Sequence, residues 1–124
     1  MILVDHLYTI VSSSEESQTA AQFHVRLIPE SVIFQAHFPG EPIMPGACIV
    51  QMVQELFISW SHQDVEIAKI VNLKFLSVIK PDEVLDLDVS LKIKKQEGNQ
   101  VHINADIVKG EVTYTRMSLL LTFK

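Results

Sequence analysis

Apolar and polar residues alternate along most of this chain, and the alternation stops for one stretch near its middle. A period of two sends successive side chains to opposite faces of a strand, whereas an apolar run at nearly every position marks a buried helix. Residues 2–11 (ILVDHLYTIV) are rich in β-branched and aromatic types and predict a first strand. The polar stretch Ser12 to Ser17 predicts a turn. Residues 18–28 set Ala21, Phe23, Val25 and Leu27 against Ala20, Gln22, His24 and Arg26, a half-buried strand that would form a hairpin with the first. Residues 30–44 hold Pro39, Gly40 and Pro42 and are expected to be irregular. Pro45 and Gly46 open a helix, because proline's missing N–H has no partner in a first turn anyway. From Ala47 to Trp60 this helix is apolar almost all round. Its exceptions, Gln51, Gln54, Glu55, Ser59 and His62, fall mostly on one stripe at steps of three and four, and His62 to Asp64 end it.

Alternation then resumes. Residues 65–79 predict a long strand, bent or bulged near Asn72, and Pro81-Asp82-Glu83 a turn. Residues 84–95 place Leu85, Leu87, Val89, Leu91 and Ile93 on one face, and Glu97-Gly98-Asn99 a hairpin turn. Residues 100–108 and 111–123 would pair around Lys109-Gly110. Six strands joined by short turns make an antiparallel sheet, and one apolar helix must be covered on most sides. A curved sheet wrapped around the helix does this; a flat one would leave half of it wet. The expected architecture is therefore α+β, one domain spanning residues 1–124.

Composition narrows the setting. Hydrophobic residues make up 48% of the chain and mean hydropathy is +0.23, high enough to expect an apolar subunit interface formed by the helix C-terminal half and one sheet edge. The formal charge of −5 argues against nucleic acid as main partner. No apolar run is long enough to span a bilayer, and the amino terminus lacks the basic region of a signal peptide. A single cysteine, Cys48, suits a reducing compartment, so a cytoplasmic location is expected. Histidines 6, 24, 62 and 102 show no paired ligand spacing, and no phosphate loop or dinucleotide fingerprint appears, so neither metal nor cofactor is expected.

The chemistry concentrates in His37 to Gln51, HFPGEPIMPGACIVQ. HFPGEPIMPG followed by an apolar helix resembles the signature of the 3-hydroxyacyl-acyl-carrier-protein dehydratases of fatty acid synthesis, and NLKFLSVIKPDEVL (residues 72–85) resembles that family's second recurrent stretch. The resemblance covers roughly residues 2–123 and implies a hot-dog fold, a sheet wrapped around one central helix. It also implies a homodimer or a trimer of dimers, with sites at the interface that take histidine from one subunit and the acid from the other. The implied substrate is an acyl thioester on acyl carrier protein, or on coenzyme A.

By this resemblance His37 is the base that removes the α-proton, and neutral imidazole has a suitable pKa for it. Free N–H groups of Gly46 and Ala47 at the helix start would hold the negative charge that develops on the thioester oxygen. Phe38 and Met44, with Met52, Phe57 and Trp60, could line an acyl-chain tunnel, and core packing is the alternative for each. Gln51 departs from the family: the aligned position, fourteen residues after the histidine, carries glutamate or aspartate, which protonates the departing hydroxyl. An amide can orient a hydroxyl or water but has no proton to give at neutral pH. Glu55, one turn further along the stripe, is the candidate substitute acid; its alternative is a buried glutamate paired with a lysine or His62. Glu41 stands where the family often has lysine. Cys48 reads as core, and Lys92, Lys94 and Lys95 as a solvated face or a minor carrier-protein contact. Three functions stay open: dehydration, thioester hydrolysis on the same scaffold, and a non-catalytic subunit that grips acyl carrier protein.

Overall fold

The structure, a computed structural model, describes residues 2–36 and 40–124. Its elements run β1 (Tyr8–Ser17), β2 (Ala20–Leu27), α1 (Val32–Ala36), α2 (Gly46–Ser61), β3 (Val65–Phe75), β4 (Asp86–Glu97), β5 (Gln100–Lys109) and β6 (Val112–Phe123). The six strands form one antiparallel sheet in the order β1-β2-β4-β5-β6-β3. Sequential hairpins account for most neighbours. The long excursion through α2 carries β3 to the far edge, beside β6.

Alternation decides which face meets the helix. Ala21, Phe23, Val25 and Leu27 of β2, and Leu87, Val89 and Leu91 of β4, are buried as their period requires. The core they form receives Ile49, Val50, Met52, Val53, Leu56 and Phe57 of α2. Full burial of a side chain the size of Leu56 or Phe57 stabilises the fold by about 1.5–3 kcal/mol, so this helix is the main anchor of the sheet. Met52 and Phe57 are core residues at 0% and 1% exposure, while Trp60 is half-buried and meets the Phe57 ring edge-on at 5.9 Å.

The ends of the elements follow local chemistry. Gly98 and Gly110 open two-residue hairpin loops with φ of 61° and 60°, a region glycine enters without steric cost. His62 closes α2 from the left-handed region at φ 58°, its N–H donating to Ile58 O at 2.8 Å. Register shifts at Ile67/Lys69 and Ile70/Asn72 put the irregularity of β3 where the sequence expects it, although the strand stops at Phe75.

Three expectations are corrected. The first strand does not occupy residues 2–11: residues 5–7 form a turn, and β1 begins at Tyr8 and runs through Ser12–Ser17. That polar stretch is a strand because β1 is an edge whose far half is exposed, so neither face selects for apolar side chains. Within 30–44, Val32–Ala36 is a short helix that buries Ile33 and Phe34.

Candidate functional site

The start of α2 is bare. Pro45, with ψ 144°, serves as N-cap and supplies no side-chain cap. Its carbonyl accepts from Cys48 N at 3.0 Å and Ile49 N at 3.1 Å, while Gly46 and Ala47 precede the intrahelical ladder. Met44 N bonds Ile79 O at 2.9 Å and so ties the segment before the helix to the one after β3. A cavity of about 220 Å³ opens here, lined by Ile43, Met44, Gly46, Ile49 and residues 75–79. The Phe75 ring lies over Gly46, and a Cβ there would sit 2.7 Å from its Cζ, so the glycine is what lets the ring and helix start approach. Met44 is 3% exposed and Ala47 is exposed. His37 and Phe38 lie outside the described residues.

Gln51 and Glu55 belong to a different cavity. Five residues at about 100° each turn Gln51 roughly 140° around the helix from Gly46. Gln51, Gln54, Glu55, Ile58 and Ser59 form one wall of a groove of about 500 Å³, and Ile2, Val4, Tyr8, Ile10 and Asp64 complete it. Within one protomer the structure therefore brings Gln51 and Glu55 together and keeps both apart from Met44 and Gly46.

Glu55 is the most heavily bonded side chain in this region. One oxygen, Oε2, accepts from Leu3 N at 2.8 Å and Gln51 Nε2 at 3.0 Å; the other, Oε1, accepts from Val4 N and Tyr8 Oη, each at 2.9 Å. Two donors per oxygen match the four acceptor sites of an ionised carboxylate. Neither lysine nor His62 is among these partners, and an i, i+4 step brings the Gln51 amide into direct contact with the carboxylate. The Tyr8 hydroxyl is pushed well above its ordinary pKa by burial, then by its hydrogen bond to Glu55 and by the negative charges of Glu55 and Asp5. The upward shift favours the protonated hydroxyl, which donates to Glu55 Oε1. Burial first, and Glu55 second, raise the Cys48 thiol, which is half-buried and packs against the margin of the core, whereas the sequence implies the interior.

The remaining candidates lie elsewhere. Glu41 is exposed. Lys92, Lys94 and Lys95 lie toward the β4–β5 turn, where Asn99 O meets Phe123 N and Asp64 O meets Lys124 N. That is the end of the sheet beside the α2 C-terminus, remote from Gly46. Among the described residues no group of His, Cys, Asp and Glu could hold a metal ion. The donors that converge on Glu55 went unseen in the sequence. The signal was present, since a glutamate inside an apolar helix must find donors, but two of the four donors are backbone N–H groups that any residue could supply.

A six-stranded antiparallel sheet packed against one long helix is the arrangement of the hot-dog fold, and comparison with solved structures agrees. The dehydratase heterocomplex ApeI:P from Xenorhabdus doucetiae superposes with a TM-score of 0.74 at 18% identity, covering 91% of this chain and 96% of that one. A thioesterase superfamily protein from Shewanella loihica reaches 0.60 at 15% identity, covering 90% of this chain and 88% of that one. At these identities the likeness establishes the fold. In sequence, the 3-hydroxyacyl-acyl-carrier-protein dehydratase FabZ of Oenococcus oeni is 31% identical over 86% of this chain and 78% of its own length. Residues 12–115 match the model of the ApeI-like family, described as ApeI dehydratase. The chain belongs to the ApeI-like dehydratase family.

Proposed function

We propose that the protein eliminates water from a 3-hydroxyacyl thioester carried on acyl carrier protein. The observation that carries this reading is the uncapped start of α2 at Pro45–Gly46, set directly after the HFPG segment and beside an apolar cavity. In the proposed reaction His37 takes the α-proton, and the Gly46 amide, aided by the helix dipole, holds the enolate oxygen. Gln51 orients the 3-hydroxyl. The Cβ–O bond then breaks, and the hydroxyl leaves as water with a proton delivered through solvent, since the lone pairs of Glu55 are taken by its four donors.

The separation of Gly46 from Gln51 supports an interface site. In a homodimer each subunit would offer its helix start to one site and its Gln51 to the other. The edge strand β3 suits such pairing: Ile70, Val71 and Phe75 are 47%, 47% and 53% exposed, more apolar surface than an unpaired edge usually shows. No helix among the described residues is long and apolar enough to cross a membrane, and cytoplasmic action on a carrier-bound substrate fits that.

Hydrolysis is the second reading, because an amide at position 51 can hold a nucleophilic water and the thioesterase superfamily protein shares the fold. Incubation with a 3-hydroxyacyl carrier-protein thioester, followed by mass, tests both. Loss of 18 mass units, that is one water (about 18 by elementary composition), is expected, and should disappear in His37→Ala. Release of free acid overturns dehydration in favour of hydrolysis; an unchanged substrate leaves a carrier-binding subunit.

A further inference from the structure

We propose that Thr115 is a specificity-determining residue, whose hydroxyl forms the polar end of the apolar cavity beside Gly46 and selects acyl chains that carry a carbonyl or hydroxyl oxygen part-way along their length. The role rests on the proposed dehydration, with that cavity taking the acyl chain. Thr115 alternates along β6 with Met117, Leu119 and Leu121, all buried, so its side chain points into the core. It is 0% exposed, and among the described residues its Oγ1 has no hydrogen-bond partner. His102 Nε2 is also sealed and unpartnered, but it belongs to a half-buried residue on the other face of the sheet. Leaving a buried hydroxyl unpaired costs stability, and valine would fill the same space without that cost. A group of this kind in a native interior calls for a partner that arrives from outside.

The strand ladder sets this hydroxyl beside the cavity. Thr115 stands opposite Phe75 of β3 on one side and Ile107 of β5 on the other. Cross-strand partners have Cβ atoms about 4.5–5.5 Å apart, and the Phe75 ring both lines the cavity and lies over Gly46. The register of β6 shifts here, with Tyr114 as the extra residue. Tyr114 O accepts from Leu76 N at 2.8 Å and Ser77 N at 3.2 Å, and both of those residues line the cavity. The cavity wall is thus pinned to the backbone next to Thr115, at the kind of bulge that re-aims side chains beside functional sites. A buried water would need about two to four polar neighbours, and the side chains of Phe75 and Ile107 offer none. An oxygen on an acyl chain needs only the one, because the apolar remainder of the chain packs against Ile43, Met44, Ile49 and Ile79. Phe75 stands between hydroxyl and cavity; at the sheet edge and 53% exposed, it has room to turn aside.

Thr115→Val tests the role in the full-length protein with probes that need no turnover. These are pantetheine amides of a plain hexanoyl chain and of hexanoyl chains bearing one oxo group, at carbon 4 or at carbon 5. The melting temperature of Thr115→Val should be equal or higher; a fall would show that the hydroxyl already has a partner in the unliganded protein, and overturns the proposal. By calorimetry, at least one oxo chain should bind the unsubstituted protein and lose roughly tenfold in affinity in Thr115→Val, while the plain chain changes by less than about twofold. In methyl-labelled protein that oxo chain should move the Thr115 methyl resonance together with those of Ile43, Ile49 and Ile79. Equal losses for plain and oxo chains, or an oxo chain that moves the isoleucine resonances and leaves Thr115 in place, overturn the selection and leave the cavity as the acyl site. Failure of every chain to bind, or binding with the isoleucine resonances unmoved, overturns the acyl site at this cavity and the role of Thr115 with it.

Discussion

Two polar clusters in this protein use similar residues in opposite settings. Glu55 lies inside the groove along α2 and gathers four donors, two of them backbone N–H groups from the N-terminal segment. On the outer face of the sheet, His24 and Arg26 of β2 stand directly opposite Asp88 and Asp86 of β4. His24 Nδ1 lies 2.9 Å from Asp88 Oδ1 and Nε2 3.7 Å from Asp86 Oδ2, while Arg26 Nε lies 2.7 Å from Asp86 Oδ1. The outer cluster has more charge and equally short contacts. Yet water stands ready to replace any partner there, whereas the inner carboxylate joins three separate pieces of chain. Loss of the inner group strands donors; loss of an outer group returns them to solvent.

Glu55→Ala should sharpen that contrast most. It leaves the Leu3 and Val4 N–H groups and the Tyr8 hydroxyl to find new partners, at a cost of about 2–4 kcal/mol. For a domain of this size that is a fall in melting temperature of roughly 8–15 °C, measurable by circular dichroism or calorimetry. Hydrogen exchange should show the loss concentrated at residues 3 to 8. A fall no larger than that of an outer-face substitution would mean the N-terminal segment is held by its apolar contacts alone.

How much of this was legible beforehand differs between the two clusters for a physical reason. Period-two alternation in residues 20–27 and 86–97 set the outward faces, so the side-by-side placing of His24 and Asp88 followed once β2 and β4 paired. The apolar run after Pro45 likewise announced α2, and the motif before it pointed to the dehydratase family to which the chain belongs. The Glu55 cluster is different. It depends on the N–H groups of residues 3 and 4 aiming at the helix just ahead of the turn at residues 5–7, and β-branched composition in that stretch favoured a continuous strand instead. The strand character of Ser12–Ser17 was hidden for a related reason: an edge strand exposed on both faces leaves no hydrophobic rhythm to read. Pattern reports burial on a face, and says little where the structure is made by backbone donors or by an edge.

A narrower cut removes one donor and keeps the carboxylate. Tyr8→Phe takes the hydroxyl from Glu55 Oε1 while the buried ring remains. Loss of one hydrogen bond to a charged group costs about 1.5–3 kcal/mol, toward the lower end here because three donors stay. Chemical denaturation should show the midpoint lowered with the slope unchanged. A neutral result would mean water takes the place of the hydroxyl, and the inner cluster would then behave like the outer one.

The smallest effect belongs to Asp86, and its pH dependence has a definite sign. The hydrogen bond from Arg26 holds its carboxyl below the ordinary carboxylate range, against the opposing effect of desolvation, with the charges of Arg26, His24 and Lys109 acting in the same direction as the hydrogen bond. A depressed folded-state pKa means that the contribution is present above the unfolded value of about 3.9 and is lost as pH falls through the lower folded value. Asp86→Asn should therefore narrow the stability difference between neutral and strongly acidic solution, and leave stability below that range nearly unchanged. Because the group is solvated, added salt should shrink the effect further, since ions screen an exposed pair far more than a buried one. Salt should leave the cost of Glu55→Ala almost untouched, because most of that cost is unmet hydrogen bonding and little of it is long-range charge. Melting curves of both variants at low and high salt separate the two clusters directly; equal salt sensitivity would show that the inner carboxylate is as accessible to solvent as the outer one.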